Sequence, residues 1–319
     1  MATRRAFLGT TLALVLDAWW PATATATRVV LDPLQPGVYV ARADNAEATR
    51  ANAGAVVPSL VQVTRAGVLV VDPGPQAAWG RALLGAIRAL TAKPVRWVVN
   101  THAHPEHVLA NAAFAGLRPR PQFLASATTA ALMRQRCEAC LASLSAQLGP
   151  AAMRGTAIVL PEPALQAGGW LQTGDTAWQV QVHAPAHSAS DTVLYAPQLR
   201  LLCAGGLAYR DRVPEMQEAS LQGWRQALRQ LIALPADMVV ATATGTPAQT
   251  LVPTLAYLDA LADGIGAALA AGRDATHAAD AVAAAPFRHW RHFPTRHPLN
   301  LQRAWRQLED AWLQGAPPA

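Results

Sequence analysis

Apolar residues recur along this chain at two different periods. GVYVA, PSLVQVTRAG and VLVVDPG alternate or run apolar with β-branched residues, bounded by Gly and Pro, and predict strands. WGRALLGAIRAL repeats its apolar positions at helical spacing, and VRWVVN returns to strand. A second round follows. TAALMRQRCEACLASLSAQLG predicts a helix; GTAIVLPEPAL, GGWLQTGD, TAWQVQVHAPA, TVLYAP and RLLCAGG predict short strands; LQGWRQALRQLIAL predicts a helix and ADMVVATATG a strand. Strands mixed with helices in this order imply sheets with helices on their outer faces, a layered α/β or α+β domain.

From about residue 250 the texture changes. TLVPTLAYLDALADGIGAALAAG and HAADAVAAAPF are almost purely helical, and LNLQRAWRQLEDAWLQ closes the chain as an amphipathic helix behind the basic, histidine-rich FRHWRHFPTRHP. The boundaries this suggests are a main domain over 27–250 and a helical extension over 251–319, packed on the domain through Trp290 and Trp305. His289, His292 and His297 read as part of a solvated basic face.

Composition narrows the class. With 319 residues, 52% of them hydrophobic and 14% charged, the chain can bury a sizeable core, which argues against disorder. The net charge is +6, yet no stretch interleaves Lys and Arg with stacking aromatics, so nucleic acid is not an expected partner. The opening MATRRAFLGTTLALVLDAWWPATATA has the order of a twin-arginine export signal: paired arginines, a short apolar core, then small residues that place cleavage after Ala26. Asp17 and Pro21 interrupt that core, and no other stretch reaches the ~18 uncharged apolar residues of a span. The mature protein is therefore expected to be soluble and periplasmic, with an uncleaved N-terminal anchor as the alternative. Cys137 and Cys140 form CEAC on one helix face, where an oxidising compartment could close a disulfide; a single such pair is not a zinc site. A structural role for the pair is favoured over a redox one.

THAHPEHVLAN, directly after the strand VRWVVN, carries the chemistry. His102 and His104 lie two apart, so an extended segment puts both imidazoles on one side, where they can grip one ion. Imidazoles suit zinc, and a third ligand from a distant loop would leave a fourth position for water.

The HAHPEH motif resembles the HxHxDH of the metallo-β-lactamase fold hydrolases. VLVVDPG is similar to that family's early strand ending in aspartate, here Asp72, and PAHSASDTVLY to its later histidine-bearing loop, here His187. Over roughly residues 35–250 the resemblance implies an αββα four-layer sandwich, followed here by the C-terminal helical extension. Within the family, CEAC, GTAIVLPEP, RVPEMQEASLQGW and RHPLNLQRAWRQLE are most similar to the zinc metallohydrolases of quinoprotein relay systems, which implies a functional link to periplasmic quinoproteins.

The family pattern implies two adjacent metal sites. For the first, His102, His104 and His187 are all present and form a zinc site. For the second, Glu106 and His107 stand in place, but the bridging acid falls at Gly206 and the last histidine at Thr244. Glu106 also adds a methylene to the family's aspartate, moving the carboxylate by about 1 to 1.5 Å. One zinc is thus expected, with Glu106 as base or water-orienting group, His107 beside it, Asp72 in support, and Asp191 either orienting an imidazole or capping its turn. Cys203 and Asp211 are weak substitutes for the lost ligands: the first is expected to pack as an apolar residue, the second to pair with Arg210 or Arg212. Two functions remain open: a zinc hydrolase of esters, amides, lactones or thioesters, or a family member that keeps the fold and acts as a binding or scaffold protein. The substrate is a small molecule of undetermined identity, with a pocket shaped by loops around ARADNAEATRANAGA and RDRVPEMQE.

Overall fold

The computed structural model describes residues 28–315; the twin-arginine segment, 1–26, lies outside the described residues. Two mixed sheets form the centre. The first contains β1 (Leu31–Gln35), β2 (Val38–Ala41), β3 (Ser59–Val63), β4 (Val68–Val71), β5 (Val95–Val99), β6 (Gln122–Ser126) and β7 (Glu162–Leu165), side by side in chain order. Its first four strands pair antiparallel, and β4 to β7 run parallel. The second contains β8 (Trp170–Thr173), β9 (Thr176–His183), β10 (Asp191–Ala196), β11 (Leu201–Cys203), β12 (Met238–Val240) and β13 (Thr244–Gly245), again in chain order. Only β11 and β12 are parallel there.

Parallel neighbours need a crossover, and helices supply it on the outer faces. Between β4 and β5 runs α1 (Ala77–Leu90), started by the Gln76 side chain, which accepts from the amides of Ala78 and Trp79. Its buried Trp79, Leu83 and Ile87 pack on Val68, Val70 and Val98. Between β11 and β12 runs α5 (Leu221–Ile232), whose Trp224 and Leu228 join Val193, Leu202 and Val239 beneath it. The inner faces of the sheets meet through Leu69, Val71, Val99 and Leu124 on one side and Trp178, Val180, Leu194 and Leu201 on the other. Trp178 is fully buried, and its indole N–H finds Gln62 Oε1 and Thr173 Oγ1, both at 3.1 Å, so burying the ring orphans no donor. The layers are helix, sheet, sheet, helix, as the resemblance implied.

Three shorter or intervening helices shape the end of the sandwich where β4, β5 and β6 finish. These are α2 (Pro105–Val108), α3 (Asn111–Phe114) and α4 (Ala127–Leu148); Val108, Leu109, Met133, Cys137, Leu144 and Leu148 bury one another where α4 lies on α2. Past β13 the chain continues as α6 (Leu251–Ala270), α7 (Ala278–Ala281) and α8 (Phe293–Leu313). Trp290 and Trp305 are buried in the same cluster as α5. Among the described residues, no helix is long and apolar enough to cross a membrane.

The carboxyl-terminal helices also grip two loops by hydrogen bonds. Asn300 Nδ2 donates to the Pro214 carbonyl at 2.7 Å, and the Gln307 amide accepts from Leu221 N and donates to the Ala219 carbonyl, each at 2.8 Å. Arg291 and Asp211–Val213 exchange two backbone bonds, while Arg296 holds Glu47 at 2.6 Å. Residues 45–48 and 211–221 are thereby tied to the extension, and both reach the cleft described next.

Candidate metal centre

In open sheets, crevices form outside the carboxyl ends of parallel strands, and the histidines gather there. Asp72 follows β4 with a φ of 52°, a left-handed conformation that costs a non-glycine residue about 1–3 kcal/mol and persists when surroundings fix it. The surroundings are specific. Its backbone N–H donates to the Val99 carbonyl at 2.9 Å; its carboxylate accepts from Thr101 N at 2.9 Å and from Thr101 Oγ1 at 2.7 Å, and faces His107 Nδ1 at 2.7 Å. The turn out of β5 is therefore anchored on one buried acid from β4.

Thr101 Oγ1 also lies 2.9 Å from His102 Nδ1. Its single proton goes to the Asp72 carboxylate, so the hydroxyl receives a proton from His102 Nδ1. That tautomer leaves Nε2 of His102 with a lone pair. The atom is buried and has no hydrogen-bond partner, in a residue with no exposed surface. His104 caps the start of α2, where Pro105 suits the first helical position, and its Nδ1 lies 3.3 Å from Nε2 of His187. His187 arrives from the loop between β9 and β10. Asp191 shapes that loop by accepting from Ser188 N at 2.8 Å and from Ser188 Oγ at 3.0 Å, which is turn capping; no hydrogen bond joins it to an imidazole.

One nitrogen from each of His102, His104 and His187 lies within 4.8 Å of the others. The donor set fits a metal ion: lone pairs brought face to face, one orphaned in a dry interior, repel unless a cation sits among them. Burial, reinforced by the neighbouring imidazoles, holds His102 and His187 well below the ordinary imidazole range, so both are neutral as ligands must be. Burial also pushes the Asp191 carboxyl up to about 6.

The remaining predicted residues divide. His107 is buried with its ring centroid 4.1 Å from that of His102; burial opposes its charge, but Asp72 outweighs this and raises its pKa. Glu106, on α2, is half-buried and lines the cleft beside His104. Gly206 lies against the ligands themselves: a Cβ there would overlap the His187 ring, 2.7 Å from Nε2, and stand 3.1 Å from His102 Cε1. Thr244 lies elsewhere, on a separate cavity of about 300 Å³ lined also by Leu34, Val40 and Arg42. Cys203 is buried in β11, facing the inner core, and Asp211 is paired with Arg210 at 3.5 Å.

Beside His104 opens a cleft of about 510 Å³, with α4 on one wall (Arg136, Cys140, Ser143) and Glu215, Gln217 and Glu218 on the other. A second cavity of about 170 Å³ shares Pro105, Glu106, Ser143 and Glu215 with it and extends to Glu47, Arg212 and Arg296. Both loops expected to shape the pocket are thus in place. Cys137 and Cys140 are unbonded: Cys137 is buried between α4 and α2, which drives its thiol up to about 11, and Cys140 faces the cleft. The sequence reading did not single out Thr101, which sets the His102 tautomer, or Glu215, which walls the cleft. Thr101 was detectable as a hydroxyl adjoining the first ligand; Glu215, on an irregular loop, has no periodic or spacing signal.

The sequence profile of the metallo-beta-lactamase superfamily matches residues 51–243, and the chain belongs to that superfamily. Solved structures agree at the level of the fold. A metallo-beta-lactamase from Pontibacter korlensis is 21% identical with a TM-score of 0.59, covering 73% of this chain and 99% of that one. TMB-1 is 17% identical with a TM-score of 0.55, and the DIM-1 metallo-beta-lactamase, in a crystal exposed to ceftazidime, is 16% identical at 0.55; each covers 73% of this chain and 98% of its own. A comparison with curated protein sequences gave no match. The fold and the three-histidine cluster together define a metal-dependent hydrolase architecture.

Proposed function

We propose that this chain is an exported hydrolase with one zinc ion, held by His102, His104 and His187, acting on an ester, amide, lactone or thioester. The observation that carries the reading is the convergence of three ring nitrogens within 4.8 Å, one of them buried without any partner. A zinc ion there would supply Lewis acidity and bring the pKa of a coordinated water toward about 7. The residues of the chain do the rest. Thr101 and Asp72 fix His102 in its ligand tautomer, Asp191 holds the His187 loop, and Glu106 orients the attacking water and receives its proton from the cleft wall. His107 is held on Asp72 at 2.7 Å, and that carboxylate raises its pKa against the opposing effect of burial.

A single metal is supported by Gly206 and Thr244. The first has no room for a side chain beside His187, and the second opens on a different cavity. The same two positions favour a second reading, in which the protein binds a small molecule without turnover. A hydrolysis screen of esters, lactones, amides and thioesters with the zinc-loaded protein separates the two. Turnover that disappears in His104→Ala supports the hydrolase; no turnover with any of the four classes supports the binding protein. Export and a link to periplasmic quinoproteins belong to the same proposal, carried by the N-terminal TRRAFL pattern and the motif resemblance.

A further inference from the structure

Charge on the walls of the cleft points to a substrate class. We infer that the cleft favours substrates bearing an ammonium group away from the scissile carbonyl and rejects those bearing a carboxylate there, with Glu106 as the residue that discriminates. The inference rests on the hydrolase reading and adds the substrate's charge to it.

Each guanidinium on the two joined cavities is already matched to a carboxylate. Arg136 binds Glu218 at 2.8 Å, Arg212 binds Glu215, and Arg296 binds Glu47 at 2.6 Å. Arg212 is further committed through Nη1 to the Ala46 carbonyl at 2.8 Å, and among the described residues no lysine lines either cavity. Burial opposes ionisation of Glu215, but Arg212 and Arg296 outweigh it and hold its carboxyl below the ordinary range, so that pair stays ionic. An incoming carboxylate thus meets guanidinium groups whose charge is already compensated, and at the buried Arg212 taking Glu215's place would leave a carboxylate without its partner.

Glu106 is the exception. It lines both cavities, adjoins His104, and has no ion pair or hydrogen bond among the described residues. A carboxylate has two oxygens with about four acceptor positions, so one can face the reacting water while the other meets a cation. The cleft thus carries one carboxylate more than it has guanidinium groups, although the protein as a whole has a net charge of +6. Among the wall side chains, the metal's own charge apart, the balance is opposite in sign to that of the whole protein, and like-charge placement at short range is what discriminates between partners.

The test uses metal-binding probes, so it does not depend on turnover. Three hydroxamates of similar length, differing at the far end, are titrated calorimetrically into the zinc-loaded full chain at low salt: β-alanine hydroxamate (ammonium), propionohydroxamate (neutral) and succinic monohydroxamate (carboxylate). The same series in Glu106→Gln removes differences intrinsic to the probes. The inference predicts that the ammonium probe binds at least about tenfold tighter than the carboxylate probe, and that this ratio falls several-fold in Glu106→Gln, whatever loss of affinity the three probes share in that variant. Equal or tighter binding of the carboxylate probe overturns the inference, as does a ratio unchanged in Glu106→Gln. Failure of all three probes to bind overturns instead the metal-site reading beneath it.

Discussion

Thr101 connects the acid of one strand to the ligand of the next, and much of the site's organisation passes through it. Its hydroxyl donates to Asp72 and accepts from His102, so Thr101→Val leaves His102 free to adopt the other tautomer. Outer partners of this kind are worth about 10–100-fold in metal affinity, and Thr101→Val should weaken zinc binding by that factor in a chelator competition assay. Gly206 makes the opposite kind of prediction. Restoring the acid there, Gly206→Asp, is expected to push His187 out of the cluster and reduce zinc content below one ion per chain, because no side chain fits beside Nε2. A gain of metal in that variant, read by inductively coupled plasma mass spectrometry, would contradict this account of the position. At this scale the sequence showed His102, His104 and His187 because three ligands fall in two short motifs. It could not show that Gly206 abuts His187, since that contact joins separate loops and exists only once both sheets are packed.

Among the elements, long apolar runs were legible and short ones were not. VLVVDPG and VRWVVN became β4 and β5 because strands in a covered parallel region are apolar on both faces, and α1 kept its helical spacing because it buries one face. The four-residue α2 and α3 have no periodicity to read, yet α2 carries Glu106 and His107. The extension was recognised as helical, but its hold on the cleft was invisible because it depends on side chains such as Asn300 and Gln307 reaching the backbone of 214–221. Asn300 is buried, so Asn300→Ala leaves the Pro214 carbonyl without that donor, at a cost of about 1–3 kcal/mol. We expect a lower melting temperature and faster amide exchange over 212–220, with zinc affinity nearly unchanged because no ligand sits on that loop.

For the whole molecule, buried imidazoles set the dependence on pH. Burial lowers the pKa of His102, His187, His183 and His297 below the ordinary imidazole value, so below about pH 6.5 the unfolded chain binds protons that the folded chain refuses. Stability then falls as pH falls, by up to about 1.4 kcal/mol per pH unit for each of the fully buried His102 and His187 and by less for the partly buried His183 and His297. His107 has the opposite sign: its raised pKa contributes stability that is complete below the ordinary imidazole value and is lost as pH rises through the folded one. Asp191, raised to about 6, also opposes the trend, since the folded chain takes up its proton first. Four rings outweigh one carboxyl and the single ring of His107, and the melting temperature of the metal-free protein should drop between pH 7 and 5.5. A flat or rising profile by scanning fluorimetry would contradict the buried, neutral state of these histidines.

The central claim is one metal ion on three histidines, and native mass spectrometry of the purified protein after zinc loading and desalting counts it directly. The predicted spectrum shows one zinc per chain in the wild type and none retained in His187→Ala with the fold intact. Two retained ions, or one that survives the loss of His187, would contradict it.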